Sequence, residues 1–309
     1  MGWEAELIRA LQSAASPLLD AFFLVLTQCG GDLFWLIAIF ICFAAGRKRY
    51  GVGLSVLLLT SFYGTYALKH AIGRPRPGPE LRRPVAEEEL SPSMPSTHAS
   101  EAAGNFGYVA EKNRKKWAIG VCALLAGLSG LSRIYLGVHW PTDVLAGFAF
   151  GLLILAIWAW LVEPRMWAKL GSLAERLNKA YFTPLPILIG LAIAFLTPPG
   201  FGGPPPTYVG GLVAGMFLGA IMAEEEQRDI KTLEDISALT VCVAIGFFGL
   251  AASMLVSAGV LQFIASALTG IWATWIGPRA LWQLKEKLRP MTHVGKGKPY
   301  YPDSHYPSG

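Results

Sequence analysis

Residues 132–162, SRIYLGVHWPTDVLAGFAFGLLILAIWAWLV, join a polar segment to a long apolar run. The polar part carries, in order, Ser132, Arg133, His139 and Asp143. The uncharged run that follows approaches the ~20 residues that cross a bilayer as a helix. Charged groups in or beside hydrocarbon are unfavourable by roughly 3 kcal/mol or more at a helix centre. The stretch therefore predicts a membrane helix with a functional polar site at its edge.

The composition of the whole chain agrees with a membrane protein. Of 309 residues, 53% are hydrophobic and 15% are charged, whereas soluble domains average about 25% charged residues. Mean hydropathy is +0.44. The sequence lacks the alternating pattern of barrel strands, so helices are the expected spanning form. We predict an all-α integral membrane protein.

Apolar runs set the expected helices and regions. A mixed segment at 5–30 contains Asp20, so the sequence leaves open whether this segment crosses the membrane. The apolar runs after it are 33–46, 51–68, 98–110, 117–132, 142–162, 182–198, 207–223, 236–257 and 259–276. Residues 163–181 are amphipathic and basic. The polar tail, 290–309, is expected to be disordered.

The excess of basic residues indicates orientation in the membrane rather than nucleic-acid binding. The net charge is +5 and the isoelectric point is about 9.0. Lys and Arg collect in short loops at 46–50 and 111–116, two helices apart, as the positive-inside rule requires. Both loops are therefore expected in the cytoplasm, which places the 70–97 and 133–141 loops on the extracytoplasmic face.

The first of three polar motifs is KHAIGRPRP, residues 69–77. Alone it is typical of a snorkelling Lys69 followed by a basic juxtamembrane loop. Prolines 75 and 77 have fixed φ angles, however, and a stiff loop would hold the arginine side chains in place. These cations are candidate anion-binding groups when they are considered with the other two motifs.

The second motif is PSTH, residues 95–98, at the start of a predicted helix. Ser96 is a suitable N-cap residue. Free backbone N–H groups at a helix N-terminus attract anions, phosphate in particular. The alternative is a capped helix with His98 at the membrane interface.

The third motif is the opening segment itself. Pro141 suits the first turn of a helix, which places Asp143 within reach of His139. A carboxylate that hydrogen-bonds one imidazole nitrogen fixes the tautomer and frees the other nitrogen. The positive helix end favours a neutral, nucleophilic His139. The alternative is a His–Asp pair that only caps a helix.

All three motifs fall on the same predicted membrane face. Together they supply cations, two histidines, a carboxylate and a helix N-terminus. Such a set can bind a phosphoryl group, attack it and protonate the group that leaves. The motifs therefore predict a phosphoryl-transfer site.

The three motifs together resemble the signature of the type 2 phosphatidic acid phosphatase (PAP2) superfamily, which is K-x6-R-P, then P-S-x-H, then S-R-x5-H-x3-D. The resemblance covers about residues 15–163. It implies a six-helix phosphatase core over 1–163 with its site at one membrane face. Residues 164–289 would then add about four transmembrane helices.

The resemblance also implies roles for individual residues. His139 would attack phosphorus, Asp143 would orient it, and His98 would protonate the leaving oxygen. The phosphoryl oxygens would be held by Lys69, Arg76, Ser96, Arg133 and the backbone N–H of Thr97.

Two details depart from the commonest form of this signature. Thr97 replaces the glycine of P-S-G-H. The backbone N–H of Thr97 remains, so we expect the replacement to tune the activity rather than abolish it. Arg74-Pro75 duplicates the Arg-Pro step, and only the spacing from Lys69 favours Arg76.

The function that the resemblance implies is hydrolysis of a lipid phosphate monoester or diphosphate through a phosphohistidine. SMPSTHA and SRIYLGVH are similar to sphingoid-base phosphate phosphatases, and phospholipid and polyprenyl phosphates are further candidate substrates. Lipid phosphotransfer at the same site is an alternative. A transporter or scramblase with a phosphatase-like core is another, since the 207–223 run is glycine-rich. The uncharged runs 182–198 and 236–276 favour instead a packing and dimerisation role, hence a homodimer.

No cofactor or metal is predicted. Zinc bound by His98, His139 and Asp143 is the alternative, because a catalytic zinc needs three protein ligands. The neighbouring cations of the three motifs would oppose a dication. The cysteines Cys29, Cys42, Cys122 and Cys242 lie singly in or beside apolar runs and are interpreted as small hydrophobic residues.

Overall fold

The computed structural model describes residues 2–86, 89–176, 179–198, 203–223 and 232–288. The helices in chain order are α1 (Gly2–Gln12), α2 (Pro17–Gln28), α3 (Asp32–Ala44), α4 (Lys48–Ile72), α5 (Thr97–Asn113), α6 (Lys116–Tyr135), α7 (Pro141–Ala156), α8 (Glu163–Arg176), α9 (Pro184–Leu196), α10 (Pro206–Met222), α11 (Leu233–Leu255), α12 (Val260–Ile271) and α13 (Gly277–Leu288). The π-helical segments Ile157–Val162 and Trp272–Ile276 continue α7 and α12, and 3₁₀ turns lie at Pro79–Leu81 and Lys179–Phe182. No strand occurs in these ranges, which confirms the predicted all-α class. The predicted disorder of 290–309 lies outside the described residues.

Several helices are suited to a bilayer. Within the described residues, five stretches are long and apolar enough to cross it: Lys48–Ile72, Lys116–Tyr135, Pro141–Lys169, Asp235–Leu255 and Val260–Gln283. Helices α3, α9 and α10 are apolar but shorter. The mixed segment at 5–30 forms α1 and α2, which pass the same test only as a pair bent by 117°. The chain is a multi-pass membrane protein.

The ends of four consecutive helices meet at one end of the molecule. Helix α4 ends at Gly73, whose φ of 65° reverses the chain, and α6 ends at Tyr135. Helix α5 begins after Ser96, whose side chain accepts from the Ala99 N–H, so the predicted N-cap is confirmed. The backbone N–H of Ser96 donates to the carbonyl of Asp143 in the first turn of α7, at 3.0 Å. All three polar motifs therefore lie together.

Close packing of α5 against α7 brings two of these motifs into contact. Gly151 of α7 lies directly over the carbonyl oxygen of Ser100 in α5, where any side chain would collide. The two backbones can touch only because Gly151 has no Cβ. This approach holds Asp143, two turns earlier in α7, beside the start of α5.

The C-terminal helices share a buried apolar cluster with α3 and α4. Tyr208, Leu212 and Met216 of α10 belong to the same cluster as Phe40 and Leu57. The indole N–H of Trp282 also donates to the carbonyl of Ala44 at 3.1 Å. The division into regions at residue 163 stays a prediction, but the buried core is continuous across it.

Candidate active site

A carboxylate lies between the predicted phosphate-binding side chains. Glu89 forms ion pairs with Arg133 Nη2 and with Arg76 Nη2, the latter at 2.6 Å, and one of its oxygens lies 3.9 Å from His139 Nε2. Burial raises the pKa of Glu89, but the Arg133 and Arg76 guanidinium groups outweigh it and bring the pKa to about 2. The carboxylate is therefore charged at neutral pH, and the pocket that holds it is an anion site.

The imidazole of His139 faces this anion site through Nε2. Arg76 Nη1 lies 3.1 Å from Nε2, and because arginine can only donate, Nε2 must be the acceptor. The ring proton is thereby assigned to Nδ1. Burial, followed by the charges of Arg76, Lys69 and Arg133, lowers the pKa of His139 well below its ordinary value. A neutral imidazole whose Nε2 lies beside the bound anion is chemically suited to act as a nucleophile.

Asp143 lies on the other side of the imidazole. Its Oδ2 is 3.6 Å from His139 Nδ1 and accepts from the Trp140 N–H at 2.8 Å. Among the described residues, Nδ1 has no hydrogen-bond partner. The carboxylate therefore faces the ring N–H slightly beyond hydrogen-bonding distance, and catalytic contacts are often long before substrate binds.

Backbone and hydroxyl acceptors hold the two arginines in place. Arg76 Nε donates to the Ser91 carbonyl at 2.7 Å, and Nη1 donates to the Val138 carbonyl at 2.8 Å. Arg133 Nη1 donates to Thr27 Oγ1 at 2.9 Å. Both guanidinium groups are fixed before any substrate arrives, which favours electrostatic stabilisation without reorganisation.

The loop between α6 and α7 depends on one glycine. Gly137 has a φ of 69°, and its α-carbon faces the carbonyl oxygen of Leu81 so closely that no side chain fits. A residue with a Cβ would be strained there on both counts. Gly137 thus allows the turn that carries His139 back toward the anion site.

The PSTH motif places His98 at the start of α5. A Cβ built on Gly31 would lie 3.6 Å from His98 Nε2, and one on Gly30 would lie 2.7 Å from the His98 carbonyl. The glycine pair between α2 and α3 therefore packs directly on this histidine. Burial, followed by the charge of Arg133, lowers the pKa of His98 to about 3, so this imidazole is neutral in the free protein.

Three other predicted site residues have hydrogen-bond partners other than Glu89. Lys69, 1% exposed, donates to the Pro92 carbonyl at 2.8 Å. The hydroxyl of Thr97 hydrogen-bonds Thr65 of α4 at 2.9 Å. Ser96 is fully buried as the cap of α5. These residues frame the loop and the helix start around the anion site.

Sequence reasoning missed three charged residues of the site. Glu89 is the last residue of the acidic run 87–89 and belongs to none of the three motifs. Arg74 was set aside by spacing, yet its Nη1 donates to Asp143 Oδ1 at 2.6 Å. Glu4, in α1, pairs with Arg74 at 2.7 Å and carries no motif that could have indicated it.

Fold and site together define a helical membrane protein with an anion site built around a neutral histidine. A family model described as the PAP2 superfamily matches residues 50–167. Phosphatidylglycerophosphatase B of Bacillus subtilis is 33% identical over 152 residues, which cover 45% of this chain and 72% of that protein. The chain belongs to the PAP2 superfamily, as the three motifs predicted.

Two further comparisons extend this result. A probable sphingosine-1-phosphate phosphatase of Dictyostelium discoideum is 29% identical over 235 residues, or 71% of this chain. The match spans 57% of the length of that relative. The crystal structure of a transmembrane PAP2 type phosphatidylglycerolphosphate phosphatase from Bacillus subtilis covers 50% of this chain and 82% of its own, at 28% identity and a TM-score of 0.44. The two relatives compared by sequence are both named as phosphatases.

Proposed function

We propose that the protein is a membrane phosphatase that hydrolyses a lipid phosphate through a phosphohistidine on His139. The observation that carries the proposal is the position of His139 Nε2. This nitrogen accepts from Arg76 and borders the anion site formed by Arg76 and Arg133, where Glu89 lies 3.9 Å from it. A phosphoryl group in that position would present phosphorus to the imidazole and its oxygens to the arginines.

The proposed reaction has two steps. In the first, Nε2 of His139 bonds to phosphorus and the bond to the lipid oxygen breaks, while His98, protonated when the anionic substrate binds, gives that oxygen its proton. In the second, water attacks the phosphohistidine, His98 takes a proton from that water, and inorganic phosphate and free His139 are released. Asp143 stabilises the positive charge on the imidazole, while Lys69, Ser96 and the Thr97 N–H support the phosphate pocket. No step needs a metal, so a chelator should leave the rate unchanged.

An apolar groove supports a lipid substrate. The groove lies between α3, α4 and α10, with Leu36, Leu58 and Leu212 among its walls. Its lining also includes Asp32, whose neighbour Gly31 packs on His98. Hydrocarbon leaving from the His98 side of the site would therefore have an apolar path into the helix bundle.

The substrate class follows from motifs and relatives. One relative is named for sphingosine-1-phosphate and another for phosphatidylglycerophosphate. Since SMPSTHA and SRIYLGVH are similar to the sphingoid branch, we propose a sphingoid-base phosphate first, before phosphatidylglycerophosphate and polyprenyl diphosphate. The site is proposed to face away from the cytoplasm, and residues 164–289 to serve packing and homodimer formation.

A lipid panel tests this proposal. Purified protein in detergent is given each of these lipids, and released inorganic phosphate is measured with and without a chelator. We expect release from at least one lipid, insensitive to chelator, and none from His139→Ala protein of equal thermal stability. Absence of release from every lipid, or equal release by His139→Ala, would contradict the proposal.

A further inference from the structure

A buried ion network lies behind Asp143, at the oxygen that does not face His139. Arg74 Nη1 donates to Asp143 Oδ1 at 2.6 Å, and Arg74 Nη2 donates to Glu4 Oε2 at 2.7 Å. The hydroxyl of Thr142 accepts from Arg74 at 2.6 Å and donates to Glu4 Oε1 at 2.7 Å. The side chains of Glu4, Arg74 and Asp143 are 4%, 15% and 0% exposed. One guanidinium group thus holds two buried carboxylates.

The network joins three parts of the chain. Glu4 belongs to α1, Arg74 to the segment after α4, and Asp143 to α7. Removing one partner from a buried ion pair leaves an uncompensated charge. The planar guanidinium can bond both carboxylates at once, whereas a lysine at position 74 would act as a point charge. The direction of the Asp143 carboxylate therefore depends on Arg74 as well as on the Trp140 N–H.

We infer that Arg74 and Glu4 are positioning residues for Asp143, and through it for His139, in the phosphoryl transfer proposed above, on which this role rests. Arg74 fixes the carboxylate opposite the ring N–H. Glu4 balances the charge of Arg74, so that Asp143 remains able to stabilise the imidazole when it becomes positive. Helix α1, which lies outside the family match at 50–167, is thereby part of the site.

A kinetic comparison with a matched control tests this role. Arg74→Gln and Glu4→Gln should lower kcat by about 10- to 100-fold, the range known for outer partners of metal-bound histidines. KM should stay near the wild-type value because neither residue contacts the anion site. Arg74→Lys should recover only part of the loss. The control is Asp20→Asn, which breaks the Asp20–Arg83 pair, 2.8 Å long, between α2 and the same loop. We expect a kcat close to wild type for this control.

A double-mutant cycle separates positioning from simple loss of structure. If Arg74 acts through Asp143, Arg74→Gln should cost little in an Asp143→Asn background, because coupled residues are not additive. The inference would be overturned if the kcat losses of Arg74→Gln and Asp143→Asn multiply in the double variant. It would also be overturned by a wild-type kcat in Arg74→Gln, or by an equal loss of kcat in Asp20→Asn.

A measurement on the resting protein tests the positioning role of Arg74 and Glu4 independently of the proposed lipid hydrolysis. The ¹⁵N imidazole signals of His139, assigned with His139→Ala, report which nitrogen carries the proton. Because Arg76 keeps the proton on Nδ1 in every variant, we expect the same Nδ1 shift in wild type and in Asp20→Asn, and a changed Nδ1 shift in Arg74→Gln and Glu4→Gln, where Asp143 is displaced from the ring. Identical His139 signals in all four proteins would overturn the positioning role, even for a protein that hydrolyses every lipid. Absence of lipid hydrolysis with the expected signals would contradict only the proposed function.

Discussion

At the scale of single residues, the site is an arrangement of charges around one neutral imidazole. Arg76 and Arg133 bind an anion on the Nε2 side of His139, and Asp143 lies on the Nδ1 side. The carboxylate of Glu89 occupies the place that the account assigns to the phosphoryl group. Two predictions follow from this arrangement.

Glu89 competes with substrate for the two arginines. Glu89→Gln removes the competing charge and should lower KM for a lipid phosphate, and Ki for inorganic phosphate, by about 10-fold, which corresponds to ~1.4 kcal/mol. The control is Glu80→Gln, an exposed acidic residue of the same loop, and it should behave as wild type. A higher KM in Glu89→Gln would show that Glu89 helps to bind substrate.

The loss of activity in His98→Ala is expected to increase with the basicity of the leaving oxygen. A lipid alkoxide needs a proton in the transition state, so His98→Ala should lose about 100-fold or more on an alkyl phosphate. The loss of activity on nitrophenyl phosphate should be much smaller, because its leaving group is stable without a proton. The measurement is kcat/KM for both substrates under conditions where phosphoenzyme formation limits the rate. Equal losses on both would assign His98 to binding instead.

Much of this site could be predicted from the sequence, and the missing part has a physical reason. Asp143 lies in the first turn of α7 and His139 lies just before that helix, and antiparallel helices bring Arg76 and Arg133 to the same end. Glu89 lies in a loop where no periodicity sets the direction of a side chain. Glu4 reaches Asp143 only through tertiary packing, which leaves no local pattern.

At the scale of helices, the apolar runs predicted the elements well, while their ends and partners needed the structure. The run at 142–162 continues from α7 into a π-helical segment, and the segment at 5–30 is broken by a sharp bend. The packing of α10 against α3 and α4 could not be predicted, because all three helices have apolar residues on most faces. This packing creates the apolar groove lined by Leu36, Leu58 and Leu212.

The groove gives a prediction for α10. Leu212→Trp places a large ring in the groove and should reduce kcat/KM for a long-chain lipid phosphate about 10-fold more than for a short-chain analogue, ~1.4 kcal/mol of selectivity. Leu218→Trp changes the same helix at a position that is not among the described groove residues. It should leave the ratio between the two substrates unchanged. A ratio unaffected by Leu212→Trp would remove the groove from the substrate path.

At the scale of the whole molecule, the basic loops at 46–50 and 111–116 predict that the site faces away from the cytoplasm. Leu90, 95% exposed, lies in the loop that carries Glu89. In a background without the four native cysteines, Leu90→Cys should react with an impermeant thiol reagent in intact cells. Arg114→Cys, at an exposed position in the loop expected in the cytoplasm, should react only after permeabilisation. The reverse pattern would place the site in the cytoplasm.

The central claim is that His139 carries the phosphoryl group during turnover. The most direct measurement is a rapid quench of the protein with a ³²P-labelled lipid phosphate, followed by identification of the labelled residue. We predict an acid-labile, base-stable label on His139 that forms and decays at the turnover rate and is absent in folded His139→Ala. A label on another residue, or normal phosphate release by His139→Ala, would contradict the account.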